Sequence, residues 1–95
     1  MTNQDEPAAQ LRRALSAFQT AQHRLLSADR RLKELPQPEV DAFWRGQGRR
    51  LEASTRATAT EVAAAFKQFS AAGLVAGASD RHLVTQAQRY LAEEA

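Results

Sequence analysis

The side chains that carry acid–base, nucleophilic or metal-binding chemistry are few in this sequence, and their spacing assembles no site. The two histidines, His23 and His82, are far apart. Neither belongs to an H-x-x-x-H or E-x-x-H spacing that would set two ligands on one helical face. Asp80-Arg81-His82 opens a helical stretch, where such residues cap the chain and solvate it. Gly46-Gln47-Gly48 lacks the Lys-Ser/Thr pair and the preceding strand of a phosphate-cradling loop. The chain has no cysteine, which removes disulfides, thiolate metal sites and cysteine nucleophiles. The expectation is a non-enzymatic protein with no catalytic residue, no metal and no cofactor.

Groups suited to recognition are better supplied. Trp44-Arg45-Gly46 lies close to the midpoint of the chain, as a hinge between helical stretches. Its indole offers a large rigid packing surface, and its glycine lets backbone turn or approach without a Cβ clash. Near the C-terminus Tyr90 and Glu94 are four apart and share one helical face. The arginines form a third set. Residues 7–35 hold six Lys/Arg against two acids, whereas residues 73–95 hold two against three. By heptad position the first-helix cations fall at b, c, f and g, the pattern of a solvated outer face with Asp29–Lys33 and Arg30–Glu34 as i,i+4 pairs. Arg24 and Arg31 share the g line. With Arg49 and Arg50 they are the phosphate contacts of the alternative reading, a small basic helical accessory protein that binds nucleic acid or a nucleoprotein complex.

Helices must position these groups. Glycine and proline number only four and three and alanine is abundant, which favours helix over strand. The first helix is expected over 7–35. Pro7 suits its first turn, Asp5 or Glu6 caps it, and Pro36 ends it. Leu11, Phe18, Leu25 and Leu32 recur every seven residues, with Ala14, Ala21, Ala28 and Leu35 three after each. This is an a/d seam over four heptads, widened by Leu15. The second helix is expected over 38–72, with a weak point at 46–48 where Gly46 and Gly48 fall. Its apolar line runs through Leu51, Thr55, Thr58, Val62, Ala65, Phe66 and Phe69; the Thr-rich middle suits a small-residue contact with the alanines of the first helix. The glycines of the 71–78 stretch bend or end that helix. Ser79 reads as the N-cap of a third helix over 80–94, with Leu83, Val84, Ala87, Tyr90 and Leu91 on its apolar face. The fold class is therefore all-α, one helical domain over 1–95: an antiparallel helical hairpin with a short third C-terminal helix. A hairpin alone covers the seam of Leu11, Leu15, Phe18, Leu25, Leu32, Val62, Phe66 and Phe69 poorly. That predicts a dimer, with a second copy or a paired small helical protein, assembled as a helical bundle.

In length, helical hairpin and central W-x-G the chain resembles the WXG100 (early-secreted-antigen-like) family. Trp44-Arg45-Gly46 corresponds to the signature turn, and Arg56-Ala57-Thr58-Ala59-Thr60-Glu61-Val62 is similar to the second helix of the founding member. Tyr90-Leu91-Ala92-Glu93-Glu94 fits the C-terminal Y-x-x-x-[DE] signal. The resemblance implies a hairpin that dimerises into a four-helix bundle and serves as a substrate or adaptor of a type VII secretion system. Trp44 and Gly46 would then form the export signal with the partner's Tyr–acid motif. Three departures accompany it. The glycine break of the 71–78 stretch puts Tyr90 on a separate third helix. Pro36 and Pro38 precede the tryptophan, and the interval from Trp44 to the Thr-rich segment is shorter by about one helical turn. Tyr90 has two readings: an exposed signal residue, or an aromatic packed beside Leu83 and Ala87. No apolar stretch reaches bilayer-spanning length, and Met1-Thr2-Asn3-Gln4-Asp5-Glu6 is too polar for a Sec signal peptide. The expected location is cytoplasmic, with secretion by a route that needs no Sec signal.

Overall fold

The computed structural model describes residues 5–94, Glu94 through its backbone only. Among these residues four helices follow one another: α1 Asp5–Leu32, α2 Gln37–Arg45, α3 Gln47–Ala71 and α4 Ala78–Glu94. The fold is all-α, with no strand among the described residues.

α1 opens on Asp5 and Glu6 and closes on Arg30 and Arg31, each sign favourable at its end of the helix dipole. It stops three residues short of the expected Leu35. Pro36 forces the residue before it out of the helical region, and the chain tightens first into two turns, with Glu34 N–H donating to Arg31 O (3.3 Å) and Leu35 N–H to Leu32 O (3.1 Å). Lys33 and Glu34 thereby leave the helix. The expected Asp29–Lys33 and Arg30–Glu34 pairs do not form; α1 instead carries the exposed Arg13–Glu6 ion pair, at 3.8 Å.

α2 starts directly after Pro36, which has extended backbone, with a second proline in its first turn. It ends at Gly46, whose N–H reaches Phe43 O at 3.0 Å. α3 resumes at the next residue, so the stretch expected as one weakened helix is two helices with a one-residue break. α3 ends in a Schellman arrangement: Gly73, at φ +80°, donates to Ser70 O (3.0 Å) and Leu74 to Phe69 O (3.3 Å). The first helical bond of α4 is Arg81 N–H to Gly77 O at 2.9 Å. Gly77 thus caps α4, and Ser79, the expected cap, sits inside the first turn.

α1, α3 and α4 pack as a three-helix bundle of 54 × 22 × 21 Å. α1 and α3 are antiparallel: Gln10 lines one hollow with Gln68, and Arg24 another with Ser54 and Thr58. α4 returns along α3, its Tyr90 hydroxyl donating to Glu52 O at 3.2 Å. One apolar cluster joins Leu11, Leu15 and Phe18 of α1, Ala59, Val62 and Phe69 of α3, and Val84 and Ala87 of α4. Phe18 and Val62 are fully buried, which contributes about 1.5–3 kcal/mol each. Leu15, at the e position, is buried with the a and d residues, giving the wide apolar stripe of a helix with two neighbours. The third face that the seam requires is thus supplied by α4 of the same chain. Thr55 is buried and its hydroxyl donates to Leu51 O at 2.8 Å; Thr58 likewise reaches Ser54 O at 2.9 Å. Their polar groups are satisfied within α3, so the Thr-rich segment can face the alanines of α1. Among the described residues, no helix is long and apolar enough to cross a membrane.

Candidate functional site

All four helices contribute to one surface cleft of about 270 Å³. Leu25, Leu26 and Asp29 come from α1, Trp44 from α2, Glu52 from α3 and Tyr90 from α4. Trp44 and Tyr90, far apart in sequence, therefore line the same cavity. Tyr90 is half-buried and anchored to α3 through Glu52. The side chain of Glu94, the other member of the expected tail signal, lies outside the described residues, as do Met1-Thr2-Asn3-Gln4.

Trp44 occupies the last turn of α2, half-buried, with the Phe43 ring edge-on to it at 5.3 Å and 84°. The glycine beneath it is not Gly46. A Cβ on Gly46 would meet only Ala42 O at 3.8 Å and Phe43 O at 4.0 Å, which is ordinary contact. A Cβ on Gly48 would overlap Trp44 Cε3 and stand 3.0 Å from Cδ2 and Cζ3. Gly46 makes the break between helices, whereas Gly48 makes room for the indole. No helical spacing signals this contact, because Trp44 and Gly48 belong to different helices and the break at Gly46 sets their approach.

The expected interaction seam points inward. Leu11, Leu15, Phe18, Leu32, Val62 and Phe69 are buried, and Phe66 is half-buried, stacked on Phe69 at 6.3 Å. Leu25 is half-buried because the seam opens there into the cleft, and Leu26 beside it is 54% exposed. What faces solvent on the other side of the hairpin is a pair of shallow hollows between α1 and α3, of about 500 and 460 Å³, lined by no residue of α4. They share Arg13 and Ala17; alanines, Ser54 and Thr58 form much of their floor, with Gln10 and Gln68 at one end, Arg24 at the other and Glu61 between.

Arg24, Arg31, Arg49 and Arg50 are all exposed. Arg24 lines a hollow, and Arg31 lies two turns further along the same face. Arg50 is one turn before Ser54 on that side of α3, but Arg49 is rotated by about 100° from it. The four do not form one stripe. His23 is exposed on α1, and His82 Nε2 lies 3.1 Å from Gln86 Nε2 on α4.

Comparison with family models, with curated proteins and with solved structures yields no match for this chain. The chemistry of the cleft follows from its lining. It offers two aromatic rings, two leucines and two carboxylates, with no lysine, arginine or histidine among them. Asp29, Leu26 and Glu52 escaped sequence reasoning because they sit beside the seam of α1 or on the flank of α3, and only the return of α4 encloses them.

Proposed function

We propose that this chain is a non-enzymatic helical protein–protein interaction module, most concretely a WXG100-like small substrate or adaptor of a type VII secretion system. Its partner is a second copy or a paired small helical protein, and it acts in the cytoplasm or after export without a Sec signal. The observation that carries the reading is the cleft in which Trp44 of the hairpin turn and Tyr90 of the C-terminal helix meet. The two halves of a bipartite address would there be read as one surface within a single chain, whereas the family resemblance implies Trp44 and Gly46 beside a partner's Tyr–acid motif. The alanine-floored hollows between α1 and α3 supply a second, separate face for pairing.

Export from a host carrying a type VII system tests the reading. Wild-type protein is expected in the medium. Trp44→Ala combined with Glu94→Ala is expected to remain in the cell, with helical content retained by circular dichroism. A wild type that stays inside, or a folded double variant exported as well as wild type, overturns the export reading. The nucleic-acid alternative draws on Arg13 and Arg24 in one hollow and Arg31 beyond them. It requires duplex binding that survives physiological salt and is lost in Arg24→Glu with Arg31→Glu. The interaction-module reading expects weak binding that salt removes.

A further inference from the structure

We propose that the Trp44–Tyr90 cleft is a receptor for an arginine side chain of a partner protein. The proposal rests on the reading of the chain as an interaction module and is independent of export. Size restricts the occupant first. At about 270 Å³ the cleft falls below the roughly 300–1,000 Å³ of sites for drug-sized molecules, so it suits a single side chain.

Charge restricts it next. Asp29 and Glu52 line the cleft, and no ion pair among the described residues engages either. Asp29 loses its sequence neighbour Lys33 to the turn after α1. Lys33 lines the adjoining depression together with Asp29 and Trp44, more than ion-pair distance away from the carboxylate. In a chain with thirteen Lys/Arg, two carboxylates beside an apolar cavity without a cation in its lining call for a cation from outside.

The carbon surface restricts the occupant further. Trp44 and Tyr90 present aromatic rings, and Leu25 and Leu26 present aliphatic surface. A guanidinium stacks on an aromatic face and forks to carboxylates, while its methylene stem lies along leucine. A lysine ammonium is a strongly hydrated point charge and uses the planar surface less well. The receptor is preorganised: Gly48 fixes the height of the indole over α3, Phe43 holds its edge, and the Glu52 carbonyl anchors Tyr90.

Trp44 is the single tryptophan of the chain and reports on its own cleft. The full-length protein is titrated with acetyl-Gly-Arg-Gly-amide and with its lysine and citrulline analogues, citrulline being the uncharged isostere of arginine. The arginine peptide is expected to give a saturable change in Trp44 emission at roughly millimolar concentration. The lysine peptide should bind several-fold more weakly, and the citrulline peptide should give no saturable change. Asp29→Asn and Glu52→Gln should each weaken the arginine peptide by about tenfold while leaving the melting temperature unchanged, since Asp29 is exposed and Glu52 holds Tyr90 through its backbone. Citrulline or lysine binding as tightly as arginine, an affinity indifferent to both variants, or no saturable response overturns the proposal. Peptide binding and export are read separately, so either can fail without the other.

Discussion

At Gly48 a single hydrogen stands where any other side chain would collide with the indole of Trp44. Gly48→Ala is therefore expected to displace the ring and to destabilise the protein by about 1–3 kcal/mol, as overpacking does. Red-shifted tryptophan emission together with a lower urea midpoint would register both effects. Gly46→Ala, two residues earlier, meets only ordinary contacts and should stay within about 0.5 kcal/mol of wild type. Equal destabilisation by the two substitutions would show that the glycine under the indole has been misassigned. Tyr90 supports a second residue-scale prediction. Tyr90→Phe keeps the ring in the cleft and removes the bond to Glu52 O, at an expected cost of about 0.5–1.5 kcal/mol by chemical unfolding. Export that persists in Tyr90→Phe and fails in Tyr90→Ala would separate the ring from its hydroxyl.

Among the helices, α4 changes the accounting of the others. The seam of α1 is too wide for α3 alone, and Val84 and Ala87 enter the same core as Phe18 and Val62. Val84 is 3% exposed. Val84→Asp would bury an unpaired carboxylate unless α4 detaches, and detachment is the cheaper course. The expected result is fast amide exchange over 78–94, loss of the Tyr90–Glu52 contact and increased self-association through the uncovered α1–α3 face. Unchanged protection of α4 would show that its packing against the hairpin is not what closes the core. The break between α2 and α3 matters for a different reason. Because α2 ends at Gly46 rather than running into α3, Trp44 can lie back over Gly48 and reach the cleft.

For the whole molecule, a bundle of 54 × 22 × 21 Å closed by its own third helix no longer needs a partner to cover its seam. The pairing proposed above then has the α1–α3 hollows to use. Sedimentation velocity decides between the partners proposed. Self-pairing expects a dimer at micromolar concentration that Ala17→Arg converts to a monomer of unchanged helicity, because Ala17 lines both hollows and a third cation joins Arg13 and Arg24 there. A wild type that remains monomeric at about 100 µM, where a Kd tighter than that range would be seen, assigns the hollows to a different small helical protein.

Helix type and most of the buried set were legible in the residues themselves. The seven-residue recurrence of Leu11, Phe18, Leu25 and Leu32, the small alanines between them, and the prolines and glycines that bound each segment are all local signals. Backbone preference and amphipathic period act over a few turns, and a few turns of sequence contain them. The same signals overran α1 to Leu35, because the tightening of the chain ahead of Pro36 depends on turn bonds that periodicity does not encode. They also made Trp44 a partner of Gly46, because adjacency in a motif is not adjacency across the break between two helices. Which surface would cover the seam was decided only in three dimensions. A wide apolar stripe accepts α4 or a second chain on equal chemical terms, and it is the turn from Gly73 to Gly77 that brings α4 back along α3. That return alone brings Tyr90 to Trp44, Asp29 and Glu52 and makes a cleft of residues that no spacing in the sequence connects.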